Sequence, residues 1–204
     1  MMTYDQAVSL IGDLHRGSNT PDNLALVMKL VLGKIARLKV KSAQRTAEIT
    51  VAGETTFSIA DNVPDFLDFK LDAENRNKGP YYLQDTIPHY FTVTNNSRFL
   101  DATQGGFCTR EGQNIKFSFP SGISDITKIY IPIYSKYLVL DAEGEILKET
   151  PAEGGDTFLF DSVFDDVFID GVLLYLDRRD MDDTEFIKSK AEWTRALNEL
   201  AYYQ

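Results

Sequence analysis

The sequence predicts an α+β protein in which N- and C-terminal helices form one bundle and an antiparallel β-rich region is inserted between them. Apolar residues recur at helical spacing before residue 45 and after residue 155, and they alternate at strand spacing in between. We therefore expect residues 1–44 and 155–204 to form the helical bundle and residues 45–154 to form the β-rich insertion. The alternative is that the terminal helices pack on one face of a single sheet.

The first segment carries local signals for two helices. Thr3 and Gln6 have the spacing of a capping box, and the apolar residues that follow predict a helix over about 4–15. Thr20 and Pro21 provide an N-cap and a first-turn proline for a second helix. Its predicted buried stripe is Leu24, Val27, Val31, Ile35 and Leu38.

The middle of the chain has the alternation that is typical of strands. Ala47, Ile49 and Val51 alternate with polar residues, and a turn at 52–54 predicts a β-hairpin that resumes at Phe57. Further strands are expected near 89–94, 106–110, 114–119, 127–133 and 137–140, with turns at 62–67, 112–114 and 141–144 and a helical interruption at 81–85.

Helical spacing returns in the last quarter of the sequence. Phe160, Phe164 and Phe168 begin a broad apolar face. Asp182 and Asp183 can cap a final helix. The residues expected to be buried on that helix are Phe186, Ile187, Ala191, Trp193, Ala196, Leu197 and Leu200.

The charge of the chain bounds its partners. The net charge is -10, and residues 103–204 carry 10 basic and 19 acidic side chains. Such a surface lacks the Lys/Arg array on which nucleic-acid affinity depends, although it suits a channel wall that repels DNA. Lys29, Lys34 and Arg37 interrupt the most apolar run, which excludes a membrane span, and the N-terminus has no apolar leader. We expect the protein to stay in the compartment where it is made.

Positive charge is concentrated in one segment. It holds Lys29, Lys34, Arg37, Lys39, Lys41 and Arg45. This segment is either a solvated helix face or a docking surface for an acidic partner. Tyr81, Tyr82 and Trp193 complete the candidate interface, because aromatic rings are enriched in contact surfaces. A cluster of exposed tyrosines would instead favour a carbohydrate- or protein-binding module.

The sequence offers no recognisable chemical site. His15 and His89 are the two histidines, and neither has the setting of a general base. Cys108 is the single cysteine, which excludes an internal disulfide. The acidic cluster Asp161, Asp165, Asp166 and Asp170 is interpreted as a solvated face. We expect no catalytic, cofactor or metal residues and no enzyme, and a hydrolase with an unrecognised carboxylate pair is the less favoured alternative.

Three segments resemble the head-to-tail adaptor, or connector, proteins of tailed bacteriophages. The first is 57–67 (FSIADNVPDFL), a strand followed by a proline-acid-phenylalanine-leucine element. The second is 112–120 (GQNIKFSFP) leading into 129–134 (IYIPIY), similar to paired strands that end in a tyrosine-bearing strand. The third is the C-terminal helix pair with Trp193 and 196–200 (ALNEL).

The resemblance implies a structural protein of the virion neck, made in the host cytoplasm. It implies a homo-oligomeric ring, dodecameric in form, that docks below the portal protein and is contacted by tail or nozzle proteins. DNA would pass through the channel without specific binding. A ring needs head-to-tail contacts that close, and the basic segment and the acidic C-terminal half are complementary candidates for them. The alternative is a tail-associated binding module for protein or carbohydrate.

Overall fold

A computed structural model describes residues 1–15, 21–50, 56–69, 81–84, 106–112, 114–118, 128–144, 147–152 and 154–202. The protein is α+β, as the periodicities predict. The chain divides into two compact units, which we call the helical unit (Met1–Gln44 with Ser135–Gln204) and the β unit (Arg45–Tyr134).

The elements of the described residues follow one another as helices, strands and helices. The α-helices are α1 (Tyr4–Leu14), α2 (Pro21–Ala36), α3 (Ile59–Asn62), α4 (Asp165–Leu176) and α5 (Asp183–Tyr202). The strands are β1 (Gln44–Thr50), β2 (Thr56–Ser58), β3 (Phe66–Phe69), β4 (Tyr81–Gln84), β5 (Gly106–Glu111), β6 (Asn114–Ser118), β7 (Lys128–Ser135), β8 (Val139–Leu140), β9 (Leu147–Lys148) and β10 (Thr157–Phe158). Short 3₁₀ turns occupy Lys41–Ala43, Ser162–Phe164 and Asp177–Arg179.

The helix starts follow the local sequence signals. The Gln6 N–H donates to Thr3 Oγ1 at 3.2 Å, and the Thr3 N–H donates to Gln6 Oε1 at 2.9 Å, which confirms the capping box of α1. Helix α2 begins at Pro21, as predicted, while Thr20 lies outside the described residues. At α5, the Glu185 N–H donates to Asp182 Oδ1 at 2.8 Å and confirms that cap.

Helix α4 is the centre of the helical unit and packs against α1, α2 and α5. Phe168 of α4 joins three other fully buried rings: Phe158, Phe160 and Phe164. The centroid of the Phe168 ring lies 4.8 Å from that of Phe158 and 5.5 Å from that of Phe160. Close contacts between aromatic rings add to the free energy of burying them, so this cluster anchors α4.

A small antiparallel sheet in the order β10-β8-β9 belongs to the helical unit. Asp156 beside it is fully buried and accepts from Lys148 Nζ at 2.8 Å and from the Ala152 N–H at 3.0 Å. Residues 135–154, which we expected in the insertion, therefore belong to the helical unit. The reason is that β8 and β9 pair with β10, which comes after residue 154 in the chain.

The β unit contains two sheets among its described residues, in the orders β1-β7-β3 and β2-β6-β5-β4. Strands β5 and β6 form an antiparallel hairpin closed by Glu111 and Asn114. Gly112 turns the hairpin with a φ of 67°, a conformation that favours glycine. Strand β4 pairs parallel to β5, so the insertion is not purely antiparallel.

Two local predictions in this unit are wrong. The hairpin expected across 52–54 would pair β1 with β2, but among the described residues β1 pairs with β7 and β2 pairs with β6. The helical interruption expected at 81–85 is strand β4 in its described part, Tyr81–Gln84. In both cases a partner far along the chain decides the pairing, and local periodicity cannot identify that partner. The strand expected near 89–94 lies outside the described residues.

Candidate assembly surfaces on the helical unit

The outward face of α2 forms a groove with a positive rim. Leu26 and Leu30 are four residues apart, so they share one helix face, and they are 61% and 45% exposed. The groove measures about 530 Å³, and Tyr175 of α4 contributes to its wall. We call it the basic groove and define it by Leu26, Lys29, Leu30, Gly33, Lys34, Arg37 and Tyr175.

The positive charges of the basic groove are only partly compensated within the subunit. Lys29 Nζ lies 3.0 Å from Glu149 Oε1, and Lys34 Nζ lies 5.8 Å from the centre of the Tyr175 ring. Arg37 is exposed, and it makes no ion pair within the part of the chain that the structure describes. Exposed ion pairs stabilise a protein by less than about 1 kcal/mol, so Lys29 can exchange Glu149 for another carboxylate at little cost.

A second groove lies between α4 and α5 and has the opposite sign. It measures about 450 Å³. We call it the acidic groove and define it by Val167, Asp170, Leu173, Leu174, Asp177, Met181, Ser189, Glu192, Trp193 and Ala196. Asp170 of α4 and Glu192 of α5 are both exposed to solvent, so each helix brings a carboxylate to an otherwise largely apolar surface.

The electrostatics of Asp170 reflect an uncompensated negative charge. Partial desolvation raises the pKa of this exposed carboxyl above its ordinary value, and the neighbouring negative charge of Asp166, one helical turn earlier, raises its pKa further. A cation placed against Asp170 would favour the ionised carboxylate and so act against this rise in pKa. The acidic groove is therefore suited to receive a positively charged side chain.

His15 ties the end of α1 to the end of α4. It is the C-cap of α1, and its Nδ1 lies 2.6 Å from Asp177 Oδ1. The contact is an ion pair when the imidazole is protonated. Asp177 is therefore shared between a contact inside the subunit and the acidic groove, whereas His89 lies outside the described residues.

The predicted acidic cluster is spread over two elements. Asp161 accepts from the Val163 N–H and caps a 3₁₀ turn, while Asp165 and Asp166 open α4. Burial raises the pKa of Asp165, and the amino group of Met1 opposes that change in part. Within the described residues, no three His, Cys, Asp or Glu side chains are arranged to hold a metal ion.

The outer face of α5 is a third exposed surface. Ile187 and Tyr202 are 66% and 86% exposed, and a groove of about 750 Å³ runs along this face. We expected Ile187 and Ala191 to be buried, and both are exposed, because α5 buries only Trp193 and Leu197. Lys190, Arg195 and Glu199 line the same face, so it carries charges of both signs.

The structure brings together three of the basic residues that the sequence singled out. Lys29, Lys34 and Arg37 share the basic groove, whereas Lys39 and Lys41 follow α2 in the connection to β1. Lys39 has a φ of 56°, in the left-handed region, and Lys41 is exposed. Arg45 lies in the β unit, where its Nε donates to Asp65 Oδ2 at 2.6 Å and its Nη2 pairs with Asp65 Oδ1.

The aromatic members of the candidate interface have different positions. Trp193 is 7% exposed, and its Nε1–H donates to the Val167 carbonyl at 2.7 Å, so it mainly packs α5 against α4. Tyr81 and Tyr82 begin β4, and their side chains lie outside the description. Of the tyrosines in the middle of the sequence, Tyr134 and Tyr137 are the ones whose side chains the structure describes, and both are half-buried.

Sequence reasoning did not assemble the acidic groove. Asp170 belongs to the acidic cluster that the sequence singled out, whereas Glu192 lies on a separate helix. Only the packing of α5 on α4 at Trp193 brings their faces to one groove. The spacing within either helix contains no signal for that pairing.

The chain matches no protein-family model, and no curated protein sequence is significantly similar to it. No helix in the described ranges has the length and apolar character needed to cross a bilayer. The surfaces on the helical unit are therefore the observations from which a function has to be inferred.

Proposed function

We propose that this chain is an architectural subunit that assembles with copies of itself into a ring, as a head-to-tail adaptor of a tailed bacteriophage. The ring would lie below the portal and join the capsid to the tail around the DNA channel. Its partners would be the portal protein and tail or nozzle proteins. The resemblance of 57–67, of 112–120 with 129–134, and of the C-terminal helices to that family supports the proposal from the sequence.

The observation that carries the proposal is the presence of apolar side chains at two separate grooves on the helical unit. Leu26 and Leu30 are exposed on α2, and half-buried Leu173 and Met181 line the groove between α4 and α5. Contiguous apolar surface that is rimmed by polar groups is typical of protein contact sites. A ring subunit has a neighbour on each side, so it needs two different contact surfaces.

The function of such a subunit is mechanical. It transmits force between capsid and tail through its contacts, and its channel must let DNA pass without holding it. A net charge of -10 suits that requirement, because a negative wall repels phosphate groups. Acidic residues of the C-terminal half that lie outside the subunit contacts would line the lumen in this arrangement.

The test is the mass of the purified chain in solution. We expect light scattering to detect species well above the 23.0 kDa of one chain as the protein concentration rises. Negative-stain images of those species should contain closed rings. A chain that stays monomeric at every concentration and salt tested, including millimolar protein, would overturn the proposal.

A further inference from the structure

We propose that the basic groove of one subunit binds the acidic groove of a second copy, and that this contact is the repeating interface of the assembly. The inference rests on the proposed function and assigns the two surfaces that meet. Lys29, Lys34 and Arg37 would face Asp170 and Glu192 of the neighbouring copy.

The two grooves lie on different sides of the same helix. Asp170 and Tyr175 are five positions apart on α4, which places them roughly 140° apart around the helix axis. A contact between two different surfaces of one subunit is heterologous, so after two copies have paired, one keeps a free acidic groove and the other keeps a free basic groove. Successive copies then form a closed ring or an open filament, as the rotation between them dictates.

Charge decides against the symmetric alternatives. Two basic grooves facing each other would bring Lys29, Lys34 and Arg37 against the same three cations. Two acidic grooves would likewise oppose Asp170 and Glu192 with their own copies. Like charges that face each other across an interface are strongly disfavoured, whereas opposite charges favour one partner and one register.

The apolar parts of the grooves complement each other as well. Leu26 and Leu30 project from the basic groove, while Leu173 and Met181 line the acidic groove between α4 and α5. Burying exposed leucines removes apolar surface from water and supplies affinity, while the charges supply orientation. The outer face of α5 would not favour one charged partner or one orientation, because its charges are of both signs.

Uncompensated charge at both grooves supports the same pairing. Arg37 makes no ion pair among the described residues, and burial and Asp166 raise the pKa of Asp170. Each group lacks what the other provides. Bringing a guanidinium to Asp170 stabilises its ionised form and gives Arg37 an acceptor.

The experiment uses charge reversal in the full chain. One variant carries Lys29→Glu and Arg37→Glu, and the other carries Asp170→Lys and Glu192→Lys. Each variant alone has two grooves of the same sign, so we expect the concentration for half-assembly, measured by sedimentation velocity, to rise at least tenfold. In a 1:1 mixture every contact between the two different variants is between opposite charges, so assembly with alternating subunits should return.

The matched control is Lys188→Glu with Lys190→Glu, which makes the same change in net charge at exposed residues of α5 outside both grooves. It should assemble like the wild type. Loss of assembly in this control would place the contact on the outer face of α5, away from both grooves, and overturn the inference. Far-UV circular dichroism of each variant establishes that it is folded. If the variant with Lys29→Glu and Arg37→Glu does not fold, the neutral variant with Lys29→Gln and Arg37→Gln takes its place.

The two proposals fail differently. If the wild type assembles and both reversal variants assemble equally well, the groove pairing is wrong while the architectural function stands. If the reversal variants dissociate but their mixture does not recover, the pairing is also wrong. A wild type that never assembles removes the proposed function itself, and the pairing with it.

Discussion

Asp170 shows how one side chain links stability to assembly. Its carboxyl is partly desolvated and lies one turn after Asp166, and both effects raise its pKa above the unfolded value of 3.8. The folded state therefore binds more protons than the unfolded state between pH 3.8 and the raised pKa, and its stability falls as the pH rises through that window. At neutral pH the ionised carboxylate destabilises the isolated subunit.

We predict that Asp170→Asn increases the free energy of unfolding of the monomer at pH 7 by about 0.2–0.5 kcal/mol, the usual cost of like charges four residues apart on a helix. Asn and Asp have similar helix propensities, so propensity contributes little. Urea unfolding of dilute protein at pH 7 measures the gain, which should shrink towards pH 3.5. Asp180→Asn, at an exposed position between α4 and α5, is the control and should change little. A variant less stable than the wild type at pH 7 contradicts the prediction.

At the scale of elements, the approach of α5 to α4 depends on one glycine. A Cβ added to Gly171 of α4 would lie 2.7 Å from Trp193 Cε2 and Cζ2, closer than real Cβ atoms approach. The indole also donates its Nε1–H to the Val167 carbonyl, so it cannot move away without losing that hydrogen bond. Gly171 is therefore required for packing, although glycine weakens a helix.

We predict that Gly171→Ala destabilises the protein by up to about 2 kcal/mol. Overpacking of a core costs about 1–3 kcal/mol, and the better helix propensity of alanine returns about 1 kcal/mol. Urea unfolding gives the change through its midpoint at constant slope. Gly12→Ala is the control, because a Cβ on this exposed residue of α1 meets nothing within 4 Å and should leave the protein as stable or more so. Equal effects of the two substitutions would refute the steric account.

Elements whose determinants are local could be predicted from the sequence, whereas those that depend on distant partners could not. The capping box of Thr3 and Gln6 and the Asp182 cap each act within one turn of helix, so the N-terminal starts of α1 and α5 were predictable. Strand β2 pairs with β6, which lies far from it in the chain. Periodicity around 52–54 instead predicted that β2 pairs with β1, and these two strands are not partners among the described residues.

The candidate site divides in the same way. Lys29 and Lys34 lie on α2 and Arg37 directly follows it, so the concentration of positive charge in this segment could be read from the sequence. The acidic groove forms only where two helices are in contact, so the spacing within one helix could not predict it. The expected burial of Ile187 was wrong because it, too, depends on which helix face meets the rest of the unit. Apolar spacing marks a face that can be buried, but it does not distinguish burial in a core from burial by a partner.

At the scale of the whole molecule, the chain builds one unit from its two ends and another from its middle. It leaves the helical unit at the start of β1 and returns at the end of β7, and these strands are hydrogen-bonded neighbours in one sheet. The aromatic cluster of Phe158, Phe160, Phe164 and Phe168 lies wholly in the helical unit. That unit therefore contains its own core.

We predict that replacing residues 45–134 by a Gly/Ser linker of about six residues, which can span up to about 20 Å, leaves a folded helical unit. Circular dichroism should keep its helical signal, and urea unfolding should stay cooperative. The control adds Phe168→Ala, which removes a fully buried ring at a cost of about 3–5 kcal/mol and should abolish the transition. If the shortened chain is helical but unfolds without cooperativity, and Phe168→Ala does not change its unfolding, the β unit is needed to fix the packing of the helices.

Retained self-association of the shortened chain would agree with an interface made by the two grooves, because every residue that defines them remains.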